Sequence, residues 1–259
     1  SQFSGPIITV DGGSKDDTSK IVKNYVSKFI TSSKGILNQN KVGVELSDTK
    51  YIIIVESDHF YPEGFIDKLI EAFHLSNQKV IRGKVLLINP SNIFELMHNK
   101  FMNLNESYLS IRYDMHAPSV WERETLINCL NNMTPLEGYS FDSAIADYLS
   151  INQIKASNCD INCYESGSIN FFRFIKRHYN YGIGDYEYFE SNKKNWTLSR
   201  KILSFTYAIR KYFFVFPFYA IKLRRDLIII PYLWLIGLIR YFTFLVFYLN
   251  GKIYKKLFS

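Results

Sequence analysis

The chain has 259 residues, enough to bury one α/β core and to carry an appendage. Its net charge of +7 is unevenly placed: residues 193–259 hold 13 Lys and Arg against the single acid Asp226, which leaves residues 1–192 net acidic. A nucleic-acid binder wears its basic stripe on the folded domain, so that partner class is disfavoured, whereas a basic, aromatic and apolar tail fits an anionic membrane surface. Three cysteines, Cys129, Cys159 and Cys163, form an odd set without zinc-type spacing and fit a reducing compartment.

Residues 7–18, IITVDGGSKDDT, predict a buried strand ending at Asp11, then a glycine turn and a helix start with Ser14, Asp16 and Asp17 as capping candidates. A Gly-initiated helix follows within residues 35–50. The β-prone run Ile52 to Val55 reads as a second buried strand and leads straight into Glu56-Ser57-Asp58. Pro62-Glu63 then open a helix that continues to about His74. In an open α/β sheet, ligands bind beyond the carboxyl ends of the strands. Two carboxylates at alternate positions there point to a divalent ion carrying phosphate, and hard oxygen ligands suit Mg²⁺ or Mn²⁺. The competing reading of the acidic turn alone is a solvated surface loop.

Strand, DGGS turn, helix, helix, strand and acid-x-acid, in this order and spacing, resemble the GT-A glycosyltransferases, in particular family 2. The blocks that carry the resemblance are Val10 to Thr18, Gly35 to Val44 and Tyr51 to His59. It implies a mixed, mostly parallel sheet flanked by helices. It also implies a nucleotide site drawn from Asp11, Gly13, Ser14, Asn40 and Glu56, and a metal site at Asp58 with Glu56. Asn40 and Lys41 stand where the family has Arg and Asn. Family members begin with a further strand and helix ahead of the DGGS strand. The resemblance therefore implies an N-terminally truncated domain, with one strand of the sheet lacking a neighbour.

Residues 79–88 predict a strand and 90–112 a helix with no interpretable motif. From Ala117, APSVWERETL resembles a family segment whose Arg-Glu pair falls at Arg123-Glu124, and a helix N-terminus with an acidic first turn reads the same way. Asp142, in GYSFDSAIADYL, stands where the family has the second acid of a Glu-Asp pair. The resemblance makes it the catalytic base, with Phe141 in place of the partner acid, and a helix cap is the alternative. A strand over 154–165 ends in Cys163-Tyr164-Glu165. Glu165 matches a family acid, while the family's histidine position holds no histidine, so a third metal ligand is not supplied there. Lys176-Arg177 and Tyr181-Gly182 match a segment suited to an acceptor pyrophosphate or lipid phosphate, or equally to a basic helix on a membrane.

Residues 227–249 carry one charge, Arg240, over a length that can span a bilayer of about 30 Å. Arg240 would cost about 2.5–3.5 kcal/mol in mid-membrane unless it finds a partner. Residues 203–221, interrupted by Arg210, Lys211 and Pro217, read as an interfacial helix. The second segment is expected to be transmembrane or re-entrant, and the alternative packs both on the domain. The expected organisation is a GT-A domain over 1–192 and a membrane-associated helical tail over 193–259. The expected activity, by resemblance, is inverting, metal-dependent transfer of a sugar (hexosyltransferase-like) from a nucleotide-sugar donor to a polyprenyl-phosphate-linked or glycan acceptor. Localisation is expected at the membrane, contacting its lipids, with the catalytic domain cytoplasmic. The rival is a non-catalytic membrane-bound scaffold that keeps the fold.

Overall fold

The computed structural model describes residues 5–109, 117–133, 141–165, 169–224 and 226–257. It opens with β1 (Ile8–Asp11), a short helix α1 (Thr18–Val22), β2 (Lys28–Thr31) and α2 (Ile36–Glu45). β1 and β2 pair in parallel, Asp11 lying opposite Thr31. The sequence pattern does not disclose β2: its four residues KFIT are exposed at both ends, and pairing with β1 is what defines them. Gly35, at φ +131°, turns the chain into α2, a conformation that β-carbon-bearing residues rarely adopt.

Next come β3 (Tyr51–Ile54), β4 (His59–Phe60), α3 (Phe65–Ser76), β5 (Val80–Leu87), α4 (Ile93–Leu109), β6 (Ser119–Glu122), α5 (Arg123–Asn132), α6 (Phe141–Ile151) and β7 (Ala156–Glu165). Five of these strands form a sheet in the order β3-β6-β5-β7-β4. The α/β architecture and mixed sheet are as expected, with β3, β5 and β7 running the same way and β6 and β4 reversed. Among the described residues only β1–β2 and β5–β7 pair in parallel, and β6 runs against both its neighbours. The acidic turn folds the chain straight back into β4 without a helical crossover, so β4 runs against β7. β1 and β3 sit in different sheets. They share α2, whose Leu37 and Val44 belong to the core cluster on which Ile52 and Ile54 pack.

Trp121, at the centre of β6, is fully buried. Beside it β5 carries two charges, Lys84, which pairs with Asp160, and Arg82, which no solvent reaches. The Arg82 guanidinium meets Glu106 of α4 in a two-pronged pair, Nη1–Oε2 3.0 Å and Nη2–Oε1 2.8 Å. A charge with no visible motif in the sequence thus finds its partner on the helix that also had none.

The C-terminal layer consists of α7 (Phe171–Asn192), α8 (Leu198–Phe205), α9 (Tyr207–Ile209), a π-helical turn (Arg210–Val215), α10 (Phe216–Lys222) and α11 (Ile229–Leu257). The single interfacial helix expected over 203–221 is thus divided among several short helical pieces. α11 lies along α7, and the two approach closely at Gly182. A β-carbon added there would stand 2.7 Å from both the Arg240 carbonyl oxygen and the Thr243 β-carbon. Arg240 has the partner its position demanded: Nε and Nη2 donate to Asp185 at 2.9 and 2.7 Å, and Nη1 to the Tyr212 hydroxyl at 2.7 Å. Within α11, Ile229–Gly251 is long and apolar enough to cross a membrane.

Candidate functional site

The DGGS turn is built by Asp11 itself. Its carboxylate accepts from the backbone of Gly13 (3.0 Å) and Ser14 (2.8 Å) and from the Ser14 hydroxyl. These bonds, the Ser14 hydroxyl's above all, hold the carboxyl below the ordinary aspartate range. Gly13, at φ +93°, supplies a conformation that suits glycine. Asn40 is half-buried on α2. Its neighbour Gln39 donates to the Val10 carbonyl at 3.0 Å and ties α2 to β1. Of the three capping candidates, Asp17 stands at the N-cap of α1 without a side-chain cap bond, while Asp16 just before it accepts from the Thr18 backbone at 3.1 Å.

Beyond β3, Glu56, Asp58 and His59 bring one ligand atom each to within 4.8 Å of one another. The Glu56 and Asp58 side chains are 42% and 64% exposed, while the His59 ring is 5% exposed. His59 Nε2 lies 3.5 Å from the Glu56 carboxylate and 3.9 Å from that of Asp58. Its other nitrogen, Nδ1, is 3.2 Å from the Tyr61 hydroxyl, which also accepts from the Glu56 backbone amide at 2.9 Å. One tyrosine thus steadies both the imidazole and the acidic turn, the kind of outer support that orients metal ligands. Two carboxylates and an imidazole form a donor set that fits a divalent ion, Mn²⁺ better than Mg²⁺ because of the nitrogen.

β4–β7 pairing sets His59 opposite Glu165. Glu165 accepts from Arg177 of α7, whose other nitrogen, Nη1, is 2.9 Å from His98 Nε2. Burial, reinforced by Arg177, pulls the His98 imidazole down to about 3, so the ring is neutral at pH 7. Burial likewise pushes the Tyr181 phenol up to about 12, opposed by the nearby Arg177 and reinforced by Asp142. Asp142 lies in the first turn of α6. Lys176 is exposed on α7. A cavity of 410 Å³ lies elsewhere, lined by Asp147, Tyr148, Tyr188 and Trp196 among others, and does not touch the acidic cluster.

Residues 6–132 match the sequence profile of glycosyl transferase family 2. The chain carries a glycosyl transferase family 2 domain. No curated protein sequence matches it. Mannosyl-3-phosphoglycerate synthase from Rubrobacter xylanophilus superposes with a TM-score of 0.52 at 10% identity, over 75% of this chain and 66% of that one. S. aureus TarS in complex with UDP-GlcNAc gives 0.48 at 15% identity, over 86% and 67%. Glucosyl-3-phosphoglycerate synthase from Mycobacterium tuberculosis, in complex with Mn²⁺ and UDP-glucose, gives 0.43 at 12%, over 63% and 60%. The chain spans about two thirds or less of the length of each.

Within this family 2 domain the structure brings together Glu56, Asp58 and His59 beyond β3, with Glu165 opposite His59 and bonded to Arg177, whereas Asp142 lies apart in sequence at the start of α6. Asp11, Gly13, Ser14 and Asn40 stand on the β1–α2 unit. Arg123 serves the fold: its backbone amide donates to the Lys50 carbonyl (2.9 Å) and its Nη2 to the Val44 carbonyl at the end of α2 (3.3 Å). Sequence reasoning missed His59. The available signal was its place directly after Asp58 on a strand short enough to pass for a loop.

Proposed function

We propose that this domain transfers a sugar from a nucleotide-sugar donor to an acceptor hydroxyl with inversion at the anomeric carbon. The observation that carries the proposal is the convergence of Glu56, Asp58 and His59 at the end of β3, one strand pairing away from Glu165 and its partner Arg177. Glu56, Asp58 and His59 would hold Mg²⁺ or Mn²⁺, which when bound offsets charge on the departing nucleoside diphosphate. The Asp142 carboxylate takes the acceptor hydroxyl's proton as that oxygen bonds to the anomeric carbon. The bond from that carbon to the diphosphate oxygen breaks with both its electrons leaving on the diphosphate. The DGGS turn, with Asn40 on α2, receives the nucleotide. Lys176 and the solvent-facing side of Arg177 receive a phosphate of the acceptor, and the basic, apolar tail supports a lipid-linked acceptor. The catalytic domain faces the cytoplasm, where nucleotide sugars are made.

Calorimetric titration with a panel of nucleoside diphosphates, with and without Mn²⁺, tests the donor half. Asp58→Asn and His59→Ala should each abolish the metal-dependent part of binding. Asp142→Asn keeps shape and should keep donor binding while transfer falls by about 10²–10⁴-fold, the usual weight of a general base. Full transfer by Asp142→Asn would reduce that residue to a helix-terminal acid, and unchanged metal dependence in Asp58→Asn would remove the metal site.

A further inference from the structure

By composition α11 is a candidate membrane span, yet its packing dictates a different posture. Its contacts with α7 run the length of both helices in the same direction. Tyr232 meets Phe174 (ring centroids 5.0 Å), Arg240 meets Asp185, and Phe244 and Tyr248 meet Phe189 (5.6 and 5.9 Å). Over that stretch α7 carries Arg173, Lys176, Arg177, Asp185, Glu187 and Glu190. If α11 crossed the bilayer in this arrangement, α7 would be drawn into hydrocarbon with its six Lys, Arg, Asp and Glu side chains, which membrane interiors do not tolerate. α7 stays in water, and α11 stays with it.

The opposite side of α11 is apolar and open. Pro231, Trp234, Leu238, Phe242, Val246 and Leu249 are exposed at intervals of three or four residues, one stripe along the helix. Phe214, Phe218 and Ile221 repeat the pattern on the preceding helical run. Phe213, stacked on Trp234 at 5.9 Å and 13°, joins the two stripes. Lys194, Lys222 and Arg224 are exposed around them, and acids are nearly absent from residues 193–259. We propose that these stripes form a docking face for an anionic lipid bilayer, and that α11 lies in the plane of the interface instead of crossing it. The proposal rests on the membrane association given above and specifies its geometry. An in-plane helix with a single apolar stripe and basic flanks is what an interface between headgroups and acyl chains selects.

Nitroxide labels placed singly on the full-length protein, at Trp234→Cys, Leu238→Cys, Phe242→Cys, Val246→Cys and Leu249→Cys, report depth in vesicles of phosphatidylcholine and phosphatidylglycerol. The unsubstituted chain gives the background from native cysteines. The expected profile is flat, all five labels about 5–10 Å into the headgroup boundary. Lys222→Glu with Arg224→Glu should weaken vesicle binding roughly tenfold or more. A V-shaped profile, deepest near position 242, would overturn the proposal in favour of a span. Labels shielded equally without vesicles, together with a dimeric mass, would overturn it in favour of a second copy of the chain. Nucleoside diphosphate titration of the same samples reads the sugar-transfer proposal separately, so the two can fail independently.

Discussion

Removal of the Asp185 carboxylate tests directly how α11 is held. Arg240 directs two charge-assisted hydrogen bonds at it, of 2.9 and 2.7 Å, and the two side chains are only 12% and 14% exposed. Each such bond contributes about 1.5–3 kcal/mol. Asp185→Ala also strands a guanidinium with only the Tyr212 hydroxyl and flanking rings for company. Breaking a largely buried pair from one side costs about 3–5 kcal/mol. That is a shift of roughly 10²–10³·⁵ in the docked-to-undocked ratio of α11. Hydrogen exchange of the α11 amides in mild detergent reads this ratio directly. The control is Asp185→Leu with Arg240→Leu, which removes both charges together and should recover most of the loss. Asp185→Ala exchanging within about 0.5 kcal/mol of the unsubstituted protein would show that the pair does not hold the helix, and the argument against a membrane span would weaken with it.

Glu106→Ala removes the two-pronged carboxylate from the fully buried Arg82 and should cost about 3–5 kcal/mol in denaturant unfolding; a loss below about 1 kcal/mol would mean the site admits water. Gly182→Ala pushes a methyl into the Arg240 carbonyl and Thr243, and should destabilise by about 1–3 kcal/mol or detach α11, visible as faster exchange confined to that helix. His98 sets an acid limit. Its folded value of about 3 lies below the ordinary 6.5, so the unfolded chain binds the proton first. Stability present above pH 6.5 is therefore lost as pH falls toward 3, by about 1.4 kcal/mol per pH unit. Denaturant midpoints at pH 7, 6 and 5 should show that slope and lose it in His98→Gln, and an unchanged slope in the variant would place the sensitivity elsewhere, with buried His178 the first alternative.

What was legible in the chain was local. β1, β3, β5 and β7 announce themselves as short β-prone runs ended by turn residues or acids, and Gly35 marks the start of α2 through a backbone need that any sequence would have. The same signals located Glu56 and Asp58, whereas Asp142 and Glu165 came from the family resemblance. What was hidden depends on pairing. β2 and β4 are four and two residues long, with no periodicity of their own, and exist because β1 and β7 offer them partners. Arg82–Glu106 and Arg240–Asp185 join residues 24 and 55 positions apart, and neither distance follows any helical or strand repeat.

The histidine position shows why that distinction bears on the proposed chemistry. The sequence holds Cys163 where the family resemblance seeks an imidazole on β7, and burial pushes that thiol up to about 12, far from a ready metal-binding thiolate. Antiparallel pairing brings β4 against the same end of β7, so the His59 ring comes to within 4.0 Å of the Cys163 sulfur from the other strand. An imidazole from β4 thus reaches the end of β7 where the family resemblance leaves a third metal ligand unsupplied, an absence that would otherwise favour a non-catalytic scaffold. The ring is also turned toward Glu56 and Asp58, and its other nitrogen is steadied by Tyr61. The altered strand end therefore gives the scaffold reading no support. The decision falls to His59→Ala: loss of Mn²⁺-dependent nucleotide binding with an intact fold would identify His59 as the replacement ligand, and full retention would return the site to two carboxylates.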